Sequence, residues 1–473
     1  MSDIADLLHT VDAVGLATLV KAGEVKPAEL LEAAIARVDD TNPALNYIAQ
    51  DCRARAREQA LRPLGGGPLA GVPFLVKDLG VDIAGVTSGA GSRALAHVAV
   101  ANSTFMDRVD AAGLLTFAKT TTPELGLTVT TESSAHGQTR NPWNRERTTG
   151  GSSGGAAAAV ALGVVPLAQA SDGGGSVRVP ASCCGLFGLK PSRGLLPVGP
   201  WHIDAWNGLS VIGPISRSVR DAAAFLDVFA GPEAGSRVIP ARPEGGYLAA
   251  LGKPVPRLRI ALLPMAGFAL DRDVADAFDD AARLFAGLGH TVAEARPQID
   301  MRALNAANIS NIAACTASDI AAINALRPQP IDTDLLEPLV QNWLRMGQAV
   351  TGLELQGALN TLSHAAQAMD MFFESHDILL SPTLAQPPVA LGVLHLANPD
   401  PESFSAAFGR FCPFASLANM TGTPAITLPL GTSRDGLPIG IMGQGRFGSD
   451  SLLLQLAAEI EQAAPWKDRR PLV

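Results

Sequence analysis

Along the first 60 residues, apolar positions recur at helical spacing. Pro27 stands where a helix begins, Ala28, Leu31, Ala34, Ile35 and Val38 share one face, and Asn42-Pro43 is expected to end that helix. From Gly71 the pattern changes to short β-rich runs, VPFLV, LLTFA, VVPLAQA and LFGL, separated by Gly-rich turns and helical segments. LRIALLP at Leu258 leads into a helix with Val274, Phe278, Ala282, Phe285 and Leu288 on one face, then Gly289 and strand-like TVAEA, a β-α-β unit. Residues 300–375 read as mostly helical, and DILLSP from Asp377, AITLPLG and GLPIGIM return to strand. No repeat or linker cuts the chain. The pattern predicts one α/β domain: a helical cover over 1–60, a core over 61–300, a helical insertion over 300–375 and a return to the core over 376–473.

Composition narrows the functional classes. Of the 473 residues, 47% are hydrophobic and 17% charged, against roughly 25% charged in an ordinary domain, so most of the chain is expected to be packed. A net charge of −9 with no long basic run argues against a nucleic-acid partner and favours a small-molecule one. The five cysteines, Cys52, Cys183, Cys184, Cys315 and Cys412, contain no C-x-x-C pair, which speaks against a disulfide scaffold or structural zinc and for a reduced cytoplasm. The N-terminal segment is acidic where a signal peptide would be basic. Between Arg147 and Asp172 no residue is charged, a stretch exceeding the roughly 20 residues of a membrane span. It consists mostly of Gly, Ala and Ser with Pro166 inside it, which suits close backbone packing in a core and predicts no membrane association.

Two dense glycine clusters stand out, TTGGSSGGAAAA from Thr148 inside that stretch and ASDGGGSVRVPAS from Ala170 running past its end. Glycine loses the most backbone freedom on folding, so such clusters need a geometric reason, and close approach of backbone to ligand is one. Free amides at Gly173, Gly174, Gly175 and Ser176, just after the strand-like VVPLAQA, are candidates to hold a developing oxyanion, with Ser176 supplying a nucleophilic hydroxyl. Rival readings exist. GGSSG at Gly150–Gly154 matches the G-x-S-x-G nucleophile elbow, but no histidine context supports it. GLFGLKPS has the wrong spacing for a phosphate loop, and Gly/Ser clusters are often plain turns. Lys77, at the end of GVPFLVKD, is either a snorkelling surface lysine or, if buried beside hydroxyls, a base. Being half neutral at pH 7 would need about 4.6 kcal/mol of differential environment, which desolvation can supply.

Lys77 in GVPFLVKD, GGSSGG from Gly150 and SDGGGSVRVPASCCGLFGLKPSRG from Ser171 together resemble the amidase-signature family. Asn42-Pro43, AKTTTPELG from Ala118, TRNPW from Thr139, GTPAITLP and GLPIGI extend the resemblance over nearly the whole chain. It implies a large mixed central sheet covered by helices and a Ser-cisSer-Lys hydrolase: Ser176 as nucleophile, Ser152 as bridging serine after a cis peptide, Lys77 as terminal base, with no metal or cofactor required. Ser153 is the rival to Ser152. Asp172 and Arg178 are expected to brace the loop by charge-assisted hydrogen bonds. The family usually has Thr where this chain has Gly173, which predicts a wider or looser oxyanion site. Within the family the chain looks most similar to the bacterial amidases that include 6-aminohexanoate cyclic dimer hydrolases. Gly126 and its neighbours, the Trp201–Trp206 loop and the insertion with Cys315, itself read as a small buried hydrophobe, are expected to set substrate choice. The alternatives are the amidase subunit of the tRNA-dependent Glu/Asp amidotransferase, disfavoured by NGLSVIGP at Asn207, and a non-catalytic binding protein of the same fold. A homodimer is compatible with the sequence.

Overall fold

In a computed structural model that describes residues 2–471, two sheets organise the chain. The smaller has three strands: β1 (Ile48–Asp51), β2 (Pro73–Lys77) and β3 (Leu115–Thr120). β3 lies between β1, antiparallel to it, and β2, parallel to it. The larger has eight: β4 (Leu167–Asp172), β5 (Phe187–Lys190), β6 (Val211–Ser216), β7 (Arg259–Leu262), β8 (Thr291–Glu294), β9 (Ile378–Pro382), β10 (Ala425–Thr432) and β11 (Pro438–Gly445), in the order β4-β6-β5-β10-β11-β9-β7-β8. The pairs from β4 through β9 are antiparallel and those of β7 with β8 and β9 parallel, so the sheet is mixed. β2 and β9 are buried along their length, which is why they read as nearly continuous apolar runs, whereas the almost equally enclosed β4 alternates and carries Gln169 and Ser171 on one face.

The insertion consists of helices Met301–Ala325, Pro338–Ala349 and Gly352–Ser375. Among the described residues no helix is long and apolar enough to cross a membrane. The uncharged stretch after Arg147 instead becomes a turn, the buried helix Gly154–Ala161 and β4.

Two expectations change. The helix from Pro27 runs through Asn42-Pro43 to Leu45. Pro43 sits in the final turn, and Asn42 remains useful there: its carbonyl accepts from Asn46 N at 2.7 Å and its side chain from Tyr47 N and Ile48 N. The first 60 residues are also not wholly helical, since β1 pairs with β3 and ties this cover into the small sheet.

Candidate active site

β2 ends at Lys77 beside β4, where the two sheets meet. Lys77 N donates to the Gln169 side chain at 2.7 Å, and Lys77 Nζ donates to Ser152 Oγ at 2.7 Å and Ser171 Oγ at 3.0 Å. Gln169 and Ser171 are two apart on β4, so strand pleating turns both toward Lys77. The lysine is fully buried and, among the described residues, has no ion-pair partner. Burial pulls its pKa down from 10.5 to about 7, outweighing the charge of Asp172, which acts to raise it. The surface-lysine reading is therefore replaced by a desolvated amine bonded to hydroxyls.

Ser152 lies in the turn before helix Gly154–Ala161, and its peptide bond with Gly151 is cis. The glycines around it are packed rather than flexible. A Cβ on Gly151 would fall 2.2 Å from Thr130 O, and one on Gly154 2.2 Å from Thr149 Oγ1. Ser153 turns away: its hydroxyl meets the backbone of Ser171, at 3.3 Å to the carbonyl and 3.4 Å from the N–H. Of the two serines, only Ser152 touches Lys77. Its partner is an amine and no histidine, unlike a nucleophile elbow.

Ser176 follows β4 across the glycine run and is 6% exposed, and its hydroxyl makes no hydrogen bond among the described residues. It is thus near the surface of the site and not bonded to Ser152. The amides of Gly173, Gly174 and Ser176 likewise have no partner among the described residues. Gly175 differs from expectation, because its N–H donates to Asp172 Oδ1 at 2.7 Å and is taken up in holding the loop. Gly126 also offers no free amide, since its N–H donates to Pro123 O at 3.1 Å. What Gly126 contributes is proximity: a Cβ there would lie 3.0 Å from Ser152 Oγ, and its φ of +68° suits glycine.

Behind the loop, Asp172 and Arg178 are fully buried and form two bonds, Nη2 to Oδ1 at 2.9 Å and Nε to Oδ2 at 3.0 Å. Val177 N also donates to Asp172, and Asn419 bridges both charges, donating to Asp172 Oδ1 at 2.9 Å and accepting from Arg178 Nη2 at 2.7 Å. Burial alone would raise the Asp172 carboxyl; the Arg178 guanidinium, with Lys190 and Asn419, outweighs it and holds the group well below the usual carboxylate range. The carboxylate is a fixed anchor for the N–H groups flanking Ser176.

Gly173 does not leave a gap. The six-membered ring of Trp206 occupies the space beside it, so that a Cβ on Gly173 would lie 2.8 Å from Cζ3. Cys315 is half-buried rather than buried and receives the Asn207 amide at 3.4 Å. Sequence reasoning passed over Ser171, Gln169 and Asn419. Strand alternation beside a candidate lysine was an available signal for the first two; for Asn419, distant in the chain, there was none.

The sequence pattern of the Amidase family matches residues 29–454. The chain belongs to the amidase family. It is an amidohydrolase by that membership. It is 38% identical over 477 residues to the 6-aminohexanoate-cyclic-dimer hydrolase of Paenarthrobacter ureafaciens, covering 97% of this chain and 96% of that protein. A solved structure of 6-aminohexanoate cyclic dimer hydrolase superposes with a TM-score of 0.90 at 36% identity, over 97% of this chain and 98% of the other. That of a bacterial aryl acylamidase does so with a TM-score of 0.86 at 29% identity, over 98% and 100%.

Proposed function

We propose that this amidase cleaves small neutral amides through an acyl-enzyme on Ser176, with Ser152 and Lys77 carrying the proton. The observation that supports this most is Lys77 Nζ, fully buried, without an ion-pair partner among the described residues and 2.7 Å from Ser152 Oγ. A lysine so desolvated is part neutral at pH 7 and can accept a proton. Ser176 Oγ attacks the amide carbon as its proton passes to Ser152 Oγ, and the Ser152 proton passes to Lys77 Nζ. The new oxyanion faces the unpartnered amides of Gly173, Gly174 and Ser176. Collapse breaks the C–N bond, and the amine leaves with the proton returned from Lys77 through Ser152. Water then attacks the ester by the same relay, releasing the acid and free Ser176. The absent Ser152–Ser176 hydrogen bond is compatible with this route, because catalytic hydrogen bonds commonly tighten only when substrate is bound.

The likeness to the cyclic-dimer hydrolase and to the aryl acylamidase supports cyclic and linear 6-aminohexanoate amides and anilides as the substrates to try first. A cytoplasmic location fits the five unpaired cysteines. The test is release of amine from a panel of aliphatic, aryl, cyclic and carbamate amides by the wild type and by Ser176→Ala. Turnover abolished by the substitution is expected; turnover that survives it, or none by the wild type, would refute the proposal.

A further inference from the structure

We propose that Trp206 is the specificity-determining wall beside the oxyanion loop, selecting amides whose carbonyl carries an extended alkyl or aryl group over short ones. This rests on the amidase reading above. A Cβ on Gly173 would lie 2.8 and 2.9 Å from Trp206 Cζ3 and Cε3, and 3.6 Å from Ser210 Cβ. The indole therefore stands where a side chain at 173 would stand, three residues before the nucleophile. It is partly exposed, so one part of the ring packs on the core while another remains available. An aromatic surface at the edge of a polar site attracts apolar substrate groups.

The ring is held in place by its backbone. Trp206 and Asn207 adopt φ of 53° and 54°, the left-handed region that non-glycine residues rarely occupy, followed by Gly208 at 82°. Partners from three directions fix this turn. Asn311, fully buried in the helical insertion, donates to Trp206 O at 3.1 Å and accepts from Asn207 Nδ2 at 2.7 Å. Arg193 Nε donates to Gly208 O at 2.6 Å. Asn419 Nδ2 donates to Leu209 O at 3.1 Å, and the same amide holds Asp172. The wall is thus tied to the insertion on one side and to the anchor of the nucleophile loop on the other. A residue that merely filled core space would need neither partial exposure nor a pinned left-handed backbone.

The test uses the p-nitroanilides of acetic, hexanoic and benzoic acid with the wild type, Trp206→Ala, Trp206→Phe, Gly173→Ala and the double variant Gly173→Ala/Trp206→Ala. Trp206→Ala is expected to lower the hexanoyl-to-acetyl ratio of kcat/KM about tenfold, mainly through KM, and Trp206→Phe to keep most of it. Gly173→Ala, which meets the ring, is expected to lose about tenfold on every substrate, and removal of the ring in the double variant to restore most of that loss. A ratio unchanged in both Trp206 variants, or a Gly173→Ala loss that is the same with and without the ring, would overturn the proposal. Absence of turnover by the wild type falls instead on the amidase reading. The hexanoyl-to-acetyl ratio of Kd is then measured by calorimetry on the wild type and Trp206→Ala, and the same ratio in both proteins overturns the wall.

Discussion

The strongest consequence of the site is the titration of Lys77. Burial takes its pKa from 10.5 to about 7, which corresponds to about 5 kcal/mol favouring the neutral amine. At pH 7 about half the molecules then carry a competent base, whereas a lysine left at 10.5 would be neutral in about one molecule in 3,000. For an amide with no titrating group, kcat/KM should rise about tenfold per pH unit below this value and level off above it. Lys190 and Glu124 are also brought to about 7, both chiefly by burial, so the inflection must be assigned. It should persist in Lys190→Met and vanish with the activity in Lys77→Met. Stability reports the same shift independently. Between about 7 and 10.5 the unfolded chain keeps a proton on Lys77 that the folded chain has released, so folding stability rises with pH across this window. Below it both states are protonated and the full penalty of the buried charge is present; above it the penalty is gone. The stability advantage of Lys77→Met over wild type, from urea unfolding, should therefore shrink by up to about 5 kcal/mol from pH 7 to 10.5. A rate inflection near 10, or an advantage independent of pH, would refute a desolvated Lys77.

Other substitutions separate the supporting roles. Asp172→Asn leaves Arg178 buried without its carboxylate and should cost about 3–5 kcal/mol by chemical denaturation. Ser171→Ala removes the 3.0 Å bond to Lys77 and about 1 kcal/mol, and should slow turnover less than about tenfold, whereas Ser152→Ala, which cuts the relay, should slow it by about 100-fold or more. Gly151→Ala drives a methyl to 2.2 Å from Thr130 O and should abolish the soluble folded protein, while Gly174→Ala, with nothing within 4 Å, should fold normally; thermal melts of both decide it.

Elements were legible in the chain where local pattern determines them. PFLVK at Pro73 is apolar up to its last residue, and the β-α-β unit from Arg259 carries a helix with Val274, Phe278 and Phe285 buried on one face. Asn42-Pro43 misled because the conflict between proline and helix is mild in a last turn that Asn42 and Asn46 cap. The residues proposed for the proton relay, Lys77, Ser152 and Ser176, were visible as unusual chemistry in an apolar or glycine-rich setting. Their supports were not, because those depend on register and on distant elements. Ser171 meets Lys77 only since β4 alternates faces from Gln169, and Asn419 meets Asp172 across 247 positions. The Gly173–Trp206 contact was invisible for a related reason: sequence shows the missing side chain but not the ring that replaces it.

These supports also explain how a buried anion and a neutral lysine coexist in one site. The negative charge of Asp172 acts to raise the Lys77 pKa, against the burial that lowers it. An unpaired carboxylate in that position would pull a proton onto the lysine, since Coulomb interactions strengthen as the local dielectric falls. Arg178 prevents this by holding both oxygens of Asp172, so that the lysine faces the field of a pair instead of a bare charge. Asn419 keeps that pair aligned and also holds Leu209, at the end of the turn that carries Trp206. The 17% charge of the chain is thus low on average but concentrated in consequence. One paired anion orders the amides on either side of Ser176, the proposed nucleophile, and its pairing leaves desolvation free to set the pKa of Lys77.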